Sequence, residues 1–303
     1  MELLMVKKEK VYVFILNWNS ASDCIRLVKE LKLVLDDEYE YHSIVIDNDS
    51  KKEDQNQLRN ALSDSELLFT NQNLGYAGGN NYGIRKAKID GADYFCILNP
   101  DISVESNFLK VLIHQLKNDV SIGVIGPRII DKYNRDLVFS DGANVFPEKG
   151  YKTKHINFNK KLNEVGESIL NEVDYVNGSA MVFSKSILEQ VGYLREDFFM
   201  YFEETEWCLR IKKAGFKAVV NTTVKVFHQS SNKSNMFYFY MHRNRIWLAK
   251  IFGSYYNRTQ KKYLKIALKE MINVVFKPRL AKEKKSFSRV KGIIAGLLTS
   301  PQQ

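Results

Sequence analysis

Acidic and amide residues of this 303-residue chain gather in a few short segments where they could bind a cation. In one of them, Asn99-Pro100-Asp101 follows an apolar run, and the proline ring restricts the backbone that carries the Asp101 carboxylate. Magnesium and manganese ions take oxygen ligands, commonly one or two protein carboxylates with substrate phosphates and waters. A turn is the alternative, because Asn, Pro and Asp are frequent turn formers.

A second acidic group is a candidate general base. Glu203, Glu204 and Glu206 stand within four positions before Trp207, and aromatic residues precede them from Phe198 onward. Burial among aromatic rings and repulsion between like charges raise the pKa of a carboxyl group, as a general base requires. Exposed acids in the first turn of a helix, where the dipole stabilises negative charge, are the alternative. The aromatic setting favours the general base.

Asp47 and His228 each end an apolar run and are therefore expected at strand ends. A carboxylate at position 47 can accept hydrogen bonds from a nucleobase or from ribose hydroxyls, although a turn or helix-capping role fits the local sequence equally well. A lone histidine is more often structural, yet His228 could join Asp101 as an imidazole ligand of the same cation. Lys233, in the polar loop that follows, is a candidate phosphate contact.

Glycine and asparagine dominate residues 71–83, which follow one apolar run and open an amphipathic stretch. The candidate ligand-binding residues of this segment are Asn73, Gly75, Gly78, Gly79 and Asn80. Glycines let a backbone approach a ligand closely, and a helix N-terminus favours negative charge. Tight packing of a helix on a strand would explain the glycines nearly as well, because their spacing is not that of a dinucleotide-binding loop.

Apolar runs and amphipathic stretches alternate from residue 11 to residue 125, which predicts repeated strand–helix units. Such units form an α/β fold with a parallel, doubly wound sheet. Ligands of these sheets bind beyond the carboxyl ends of the strands. Asn17, Asp47-Asn48-Asp49, residues 71–79 and Asn99-Pro100-Asp101 are all expected at that edge.

The second half of the chain is less regular. Residues 131–174 lose the periodicity and are expected to form an irregular insertion or a hairpin region. Residues 180–183, 217–221 and 225–228 are predicted strands, and residues 237–251 are predicted to form an aromatic-rich helix.

The net charge of +10 belongs to the C-terminal tail. Residues 258–303 hold twelve Lys and Arg against Glu270 and Glu283, whereas the first 257 residues balance thirty-three basic with thirty-three acidic side chains. A balanced globular part argues against a general nucleic-acid-binding surface.

The tail combines apolar residues at helical spacing with lysines on another face: Leu264, Leu268, Met271 and Val275 against Lys262, Lys265 and Lys269. This pattern predicts a basic amphipathic helix. Such a helix could lie on an anionic inner leaflet, or it could pack on its own catalytic domain.

Three cysteines, Cys24, Cys96 and Cys208, are far apart and lack C-x-x-C spacing, which indicates a reducing compartment. The N-terminus has no signal-peptide pattern, and the longest late apolar run is too short to span a bilayer. A cytoplasmic location is expected, with peripheral contact to the inner face of the plasma membrane through the basic tail.

The ordered set of motifs resembles glycosyltransferase family 2 across residues 10–250, and its pattern is most similar to the bacterial rhamnosyltransferase-like branch. The set comprises Asn17, Asp47, Asn73-Leu74-Gly75, Gly78-Gly79-Asn80, Asn99-Pro100-Asp101, Asn177-Gly178, Glu203-Glu204-x-Glu206-Trp207 and His228. The resemblance implies a GT-A fold, with a Rossmann-like, mostly parallel central sheet flanked by helices and a C-terminal helical extension. It also implies a nucleotide-diphospho-sugar donor, a divalent cation (Mg²⁺ or Mn²⁺) and inversion at the anomeric carbon.

The same resemblance implies roles for these residues. Asp47 would contact the base or ribose, and Asp101 and His228 would hold the metal on the diphosphate. Asn99 stands where the usual Asp-x-Asp motif has its first aspartate, which removes one charge from the metal motif. The donor-binding set would be Asn17, Asp47, Asn73, Gly75, Gly78, Gly79, Asn80, Asn99 and Asp101.

On the acceptor side, Glu204 would take the position of the catalytic base, with Glu203 and Glu206 as competitors. The residues expected near the donor or acceptor sugar are Asn177, Gly178, Glu203, Glu206 and Trp207. The expected reaction moves rhamnose or another hexose to a saccharide or polyprenol-linked acceptor in cell-surface polysaccharide synthesis.

This interpretation divides the chain into a catalytic domain, residues 1–257, and a basic helical tail, residues 258–303. Two rival hypotheses keep the same fold. One is a catalytically silent subunit that binds a nucleotide sugar or a polysaccharide, and the other is a nucleotidyltransferase, which would release pyrophosphate.

Overall fold

The computed structural model of the protein describes residues 7–228, 234–276 and 284–302. The predicted phosphate contact Lys233 and the side chain of Val275 lie outside that description.

The first half of the chain alternates strands with helices, as its periodicity predicts. In chain order these elements are β1 (Lys10–Asn17), α1 (Ala21–Val34), β2 (Glu40–Asp47), α2 (Lys52–Ala61), β3 (Leu67–Phe69), α3 (Gly75–Ile89), β4 (Tyr94–Leu98), α4 (Phe108–Asn118) and β5 (Ile122–Asp131).

The second half adds short strands, two helices on the sheet and a C-terminal helical layer. Its elements are β6 (Val138–Ser140), β7 (Ala143–Phe146), β8 (Lys152–His155), β9 (Asn171–Val173), β10 (Ala180–Ser184), α5 (Lys185–Val191), α6 (Glu203–Lys213), β11 (Lys217–His228), α7 (Asn235–Phe252), α8 (Tyr256–Phe276) and α9 (Lys284–Leu298).

One large sheet has the strand order β3-β2-β1-β4-β10-β5-β11-β9, and β6 pairs with β5. β1 is parallel to β2 and β4, and β5 is parallel to β11, whereas β10 runs antiparallel to both β4 and β5. The expected α/β sheet is therefore present, mostly parallel in its central part and mixed around β10. Reversal of β10 brings the residues that precede it to the carboxyl edge of β4.

The number of strands after residue 216 differs from the sequence-based expectation, whereas the hairpin expected within residues 131–174 is present. The segments 217–221 and 225–228 form one continuous strand, because the pairing of β11 with β5 resumes after a register shift between Asn221 and Lys225. Residues 131–174 contain the antiparallel hairpin β7–β8 beside the main sheet, together with the short strands β6 and β9.

The sheet buries apolar side chains on both faces. Successive residues of a strand point to opposite faces, so Val13 of β1 packs in a cluster with Leu27 of α1 and Leu112 of α4. Phe14 packs on the other face in a cluster that contains Ile84 of α3 and Trp207 of α6. Helices on both faces hold the strand ends at fixed positions.

The C-terminal helices α7, α8 and α9 pack on one another around Ile246, Tyr263, Ala267 and Ile293. Gly292 of α9 lies against the backbone of Phe239, where any side chain would clash. Among the described residues, no helix is both long enough and apolar enough to cross a membrane.

Candidate active site

Strand direction brings the predicted residues to one edge of the sheet. Asn17 and Asp47 are paired at the carboxyl ends of the parallel strands β1 and β2. Because β10 is antiparallel to β4, residues 177–179 lie beside the loop that follows β4, and the Asn99 N–H donates to the Ser179 carbonyl at 2.9 Å. β11 ends at this same edge with His228.

Asn17 and Asp47 are buried and bonded to each other. Asn17 Nδ2 donates to Asp47 Oδ2 at 2.8 Å and to Asp54 Oδ2 at 2.7 Å. Asp47 Oδ1 accepts from Gln55 Nε2 at 2.8 Å and from the Ser50 N–H at 3.2 Å. Each carboxylate oxygen has two lone pairs, so Asp47 Oδ2 keeps one acceptor position beyond this network.

Asn48 links the loops that follow β2 and β3. Its Nδ2 donates to the Gly75 carbonyl at 3.1 Å and to Asn73 Oδ1 at 3.2 Å, and its Oδ1 accepts from the Leu74 N–H at 2.9 Å. Asn73 Oδ1 also accepts from the Gly75 N–H at 2.9 Å. Asn73 therefore fixes the point at which α3 begins.

The glycines of α3 are required by close packing. Gly75 has a φ of +70° and lies against the Phe199 backbone, and a side chain at Gly79 would clash with Leu16 of β1. A Cβ at Gly78 would lie 2.8 Å from Leu74 Cβ. The packing interpretation of this segment thus accounts for the glycines without a ligand.

Asn80 of α3 is fully buried. Its Nδ2 donates to the Tyr76 carbonyl at 2.9 Å. Within the described residues, Asn80 Oδ1 is buried without a hydrogen-bond partner, so this helix start retains an acceptor that the protein does not satisfy.

Asp101 and His228 face each other across the sheet edge, with Asp101 Oδ1 3.4 Å from His228 Nε2. Backbone hydrogen bonds of 2.8 and 3.0 Å between Ser103 and Phe227 tie the segment that follows Asp101 to the end of β11. Asn99, in the first position of the expected metal motif, donates from Nδ2 to Ser179 Oγ at 3.3 Å and so helps to hold the loop.

Arg26 of α1 fixes the loop that carries Asp101. One of its terminal nitrogens donates to the carbonyls of Pro100 and Ile102 at 2.9 and 2.8 Å, and the other donates to Ser103 Oγ at 2.8 Å. A guanidinium has five donors in a rigid plane, so one side chain sets the course of the whole turn.

The Asp101–His228 pair has the chemistry of two metal ligands. Burial raises the pKa of Asp101, although nearby His228 opposes the shift, and burial lowers the pKa of His228. Within the described residues, Asp101 Oδ1 and His228 Nδ1 are buried without hydrogen-bond partners, and such atoms are costly unless a ligand completes them.

No group of three or more His, Cys, Asp or Glu side chains in the described parts of the chain is arranged to hold a metal. A two-ligand site suits Mg²⁺ or Mn²⁺, which commonly take the rest of their shell from substrate phosphates and water. Asp101 and His228 therefore fit a divalent cation that binds together with a diphosphate.

Gly178, Tyr76 and Glu204 meet at the start of β10. The Tyr76 hydroxyl donates to the Gly178 carbonyl at 2.5 Å. A Cβ at Gly178 would lie 3.1 Å from the Tyr76 hydroxyl and 3.3 Å from Glu204 Cγ, so the glycine lets both side chains approach. Asn177 Oδ1 accepts from the Ser179 N–H at 2.9 Å and shapes this turn.

The two adjacent glutamates of α6 differ in exposure. Glu203 is 3% exposed, whereas Glu204 is partly exposed. Burial and then the neighbouring Glu204 raise the pKa of Glu203 well above its ordinary value. Burial raises the pKa of Glu204, while hydrogen bonds to its carboxylate, including one from Thr205 Oγ1 at 3.2 Å, oppose the shift. Glu204 is thus the accessible carboxylate.

Glu206 and Trp207 point into the protein, and both are fully buried. The Glu206 carboxylate accepts from Arg210 Nε at 2.8 and 2.9 Å, and Trp207 Nε1 donates to the Gly192 carbonyl at 2.8 Å. The structure therefore places both side chains in packing and hydrogen-bonding contacts with the protein.

The loop before α6, residues 199–202, has an unusual backbone. Phe199, Tyr201 and Phe202 have φ values of +62°, +67° and +74°. Bulky residues rarely adopt this left-handed region, and each such residue costs about 1–3 kcal/mol. The surrounding structure must hold this loop in place.

α7 supplies the contacts that hold residues 199–202. Asn244 is fully buried, and its Nδ2 donates to the carbonyls of Phe198, Met200 and Tyr201 at 3.1, 3.0 and 2.6 Å. Arg243 Nη2 donates to the carbonyls of Asp197 and Phe198 at 3.0 and 2.7 Å. One buried amide thus sets the strained backbone that leads to Glu203 and Glu204.

Asn244→Ala is expected to lower the free energy of unfolding by about 1–3 kcal/mol, because three carbonyls lose a donor. It is also expected to lower kcat about 10- to 100-fold with little change in the donor KM, because Glu204 is displaced and the donor contacts are not. Denaturant unfolding and steady-state kinetics measure these effects.

The matched control is Asn221→Ala. Asn221 is also buried, and its Nδ2 donates to Gln115 Oε1 at 2.7 Å, far along β11 from the loop. This variant should lose stability and keep its kcat. Equal loss of kcat in both variants would mean that Asn244 acts only through general stability.

Arg26 and Asn244 were not predicted as site residues, whereas Asn48 and Tyr76 lie in segments that were expected at this edge. Asn48 sits in the turn that follows β2, and Asn244 is a single amide within an aromatic helix. A buried asparagine in such a helix needs hydrogen-bond partners, so the sequence did carry a signal for Asn244.

The order of the strands and the helices on both faces of the sheet define a fold of the GT-A type. The structure is similar to that of GalNAc-T7 with UDP, GalNAc and Mn²⁺, with a TM-score of 0.64 and 16% identity over 87% of this chain and 51% of that one. It is also similar to the mannosyltransferase PcManGT from Pyrobaculum calidifontis in complex with GDP-Man and Mn²⁺, with a TM-score of 0.58 and 12% identity over 97% and 88% of the two chains.

The chain belongs to glycosyl transferase family 2, whose model matches residues 12–192. It is 32% identical to the low-salt glycan biosynthesis hexosyltransferase Agl10 of Haloferax volcanii over 66% of this chain and 61% of that protein. It is 26% identical to the dTDP-rhamnosyl transferase RfbF of Shigella flexneri over 74% and 70% of the two. The family and the fold expected from the ordered motifs are confirmed.

Proposed function

We propose that the protein transfers a hexose from a nucleotide-diphospho-sugar to a hydroxyl group of a saccharide or polyprenol-linked acceptor. The observation that carries this proposal is the convergence of Asp47, the Asp101–His228 pair and Glu204 at one sheet edge in a family 2 chain. Nucleotides and Mn²⁺ in similar solved structures support a nucleotide-sugar donor and a divalent cation.

On the donor side, Asp47 accepts a hydrogen bond from the base or ribose, held in place by Asn17. Asn73, Gly75 and Asn80 shape the start of α3 beside the donor through their packing and hydrogen bonds. Asp101 and His228 would hold a divalent cation, and the bound cation would supply charge neutralisation for the departing diphosphate. Asn99 contributes through the backbone and amide contacts that fix the Asp101 loop.

On the acceptor side, Glu204 takes the proton from the acceptor hydroxyl, and the oxygen then attacks the anomeric carbon as the bond to the nucleoside diphosphate breaks. This direct displacement inverts the anomeric configuration and needs no covalent enzyme intermediate. Asn177 and Gly178 shape the wall beside Glu204. Glu206 and Trp207 support α6 from within.

We extend the proposal to the transferred sugar, the product and the location of the protein. The transferred sugar is rhamnose or another hexose, as the names of the two curated relatives suggest. The product that we propose is a cell-surface polysaccharide. The catalytic domain comprises residues 1–257, the basic tail comprises residues 258–303, and the protein works at the cytoplasmic side of the membrane.

A thermal-shift screen of UDP, GDP and dTDP, with and without Mn²⁺, tests the donor assignment. One base class should stabilise the protein by about 2.7 kcal/mol at a hundredfold excess over Kd, and Mn²⁺ should increase the effect. The matching nucleotide sugar should then release nucleoside diphosphate when acceptor is added.

Two outcomes would overturn the assignment. Pyrophosphate release would identify a nucleotidyltransferase. Stabilisation by a nucleotide sugar without turnover in any acceptor extract would identify the catalytically silent binding subunit.

A further inference from the structure

α8 packs on the protein with only one of its sides. Tyr263 and Ala267 are buried against Ile246 of α7 and Ile293 of α9, and the Tyr263 hydroxyl donates to the Gly150 carbonyl at 3.1 Å. Glu270 binds Arg289 of α9 at 2.8 Å. The helix is therefore fixed on the domain, and its other side is left to solvent.

That other side carries a continuous apolar stripe. Its residues are Leu264, Leu268, Met271, Ile272 and Phe276, each 48–76% exposed. They recur every three or four positions, so they share one face of the helix. Exposed apolar groups of this extent mark a binding surface.

α9 repeats the arrangement on a smaller scale. Phe287, Ile294 and Leu298 are 58%, 46% and 81% exposed, at spacings that place them on one face. Lys291 lies between them, with its Nζ 4.8 Å from the centre of the Phe287 ring. The two helices pack together on α7, and both leave apolar side chains uncovered.

Cations flank the α8 stripe. A cleft of about 770 Å³ is lined by Glu148, Lys149, Asn257, Arg258, Lys261, Lys262, Lys265 and Ile266. Burial and then the charges of Arg245, Lys152 and Arg258 lower the pKa of Lys262. Residues of a helix are 100° apart, so Lys265 and Lys269 lie along the edge of the stripe beside Leu264 and Leu268.

We propose that this α8–α9 face docks on an anionic phospholipid membrane. The apolar stripe enters the interface between headgroups and acyl chains, and the cations of the cleft bind lipid phosphates, as in amphipathic helices that lie in a membrane plane. A second copy of the chain fits poorly, because it would bring like charges together. The docking itself does not depend on the proposed function. Its consequence, delivery of the active site to a lipid-linked acceptor, does rest on that function.

Co-sedimentation of the full chain with vesicles tests the docking. Binding to vesicles that contain phosphatidylglycerol should be at least tenfold tighter than binding to pure phosphatidylcholine, and added salt should weaken it. Lys261→Glu/Lys265→Glu and, separately, Leu264→Glu/Leu268→Glu should each weaken binding at least tenfold.

The matched control is Lys29→Glu/Lys86→Glu, which makes the same charge change at exposed lysines of α1 and α3. It should bind vesicles as the unchanged chain does. Equal binding of the Lys261→Glu/Lys265→Glu variant and the control, or equal binding to neutral and anionic vesicles, would overturn the proposal. A dimer that dissociates on Leu264→Glu/Leu268→Glu would identify a second copy as the occupant.

Nucleotide-induced thermal stabilisation separates this inference from the proposed function. All these variants should keep the nucleotide shift of the unchanged chain, which also shows that they fold. Loss of vesicle binding with an intact shift supports membrane docking. A chain that binds vesicles and shows no nucleotide shift would refute the proposed function and leave the docking intact.

Discussion

Glu204→Gln is expected to lower kcat by about 10²- to 10⁴-fold, the usual contribution of a general base. The amide keeps the shape of the side chain beside Gly178 and cannot accept the acceptor proton. The donor KM should change little, because Glu204 lies away from the Asp101–His228 pair in the proposed scheme. Initial rates of nucleoside diphosphate release at saturating acceptor measure the effect.

The pH dependence of the unchanged enzyme provides a second readout. Burial raises the pKa of Glu204, so its carboxylate form appears at a higher pH than that of an ordinary glutamate. We expect the acid-side fall of kcat to be shifted in the same direction. Glu204→Gln should remove this dependence from the residual rate.

Glu203→Gln is the matched control, and it should keep kcat within about threefold. Its side chain is buried, and the raised pKa favours the protonated form, which Gln imitates. Any stabilising contribution of a carboxyl group with a raised folded-state pKa is present below the unfolded pKa and is lost as pH rises through the folded pKa. The Gln variant should therefore gain stability relative to the unchanged chain as pH rises from the ordinary glutamate range toward the folded-state pKa. If Glu203→Gln lost turnover while Glu204→Gln kept it, Glu203 would be the general base instead of Glu204.

The common location of the site residues was predictable because strand direction fixes it. Asn17, Asp47 and His228 each terminate a strand, and Asp101 follows another. Parallel strands end at one edge, so their terminal side chains must lie together. The reversal of β10 was not predictable from its short apolar run, because periodicity carries no information on strand direction.

The roles of the three glutamates of α6 can be assigned only from helical geometry together with composition. Glu203, Glu206 and Trp207 are related by i, i+3 and i+4, so they share one helix face, and the structure buries that face. Glu204 lies 100° away and is the partly exposed member. This distinction was available in the sequence once the helix start was known.

Local sequence patterns could not predict that α7 holds the loop of residues 199–202. Asn244 binds carbonyls more than forty positions earlier in the chain, and such a contact follows from tertiary packing. The glycines of α3 illustrate the opposite case, since one pattern fits both a phosphate loop and tight packing. Only the positions of Leu16 and Phe199 decide between them.

Asp101→Asn is expected to remove the Mn²⁺-dependent part of nucleotide stabilisation and to lower kcat/KM by about 100-fold or more. Loss of an outer-shell partner alone costs metal sites about 10- to 100-fold in affinity or activity, and Asp101 is one of two proposed direct ligands. Thermal shifts with nucleoside diphosphate, with and without Mn²⁺, measure the contribution of the metal to nucleotide binding separately from turnover. His228→Ala should have the same signature, because burial lowers the pKa of His228 and keeps it neutral as a ligand near pH 7.

Asp131→Asn is the control, since Asp131 pairs with His228 across β5 and β11 but accepts from the N–H groups of Tyr133 and Asn134. It should keep the Mn²⁺ effect. If Asp101→Asn lost turnover while its Mn²⁺ shift stayed equal to that of the unchanged chain, Asp101 would not be a ligand. The Asp101–His228 contact would then be structural, and neutralisation of the leaving diphosphate would fall to other groups of the chain.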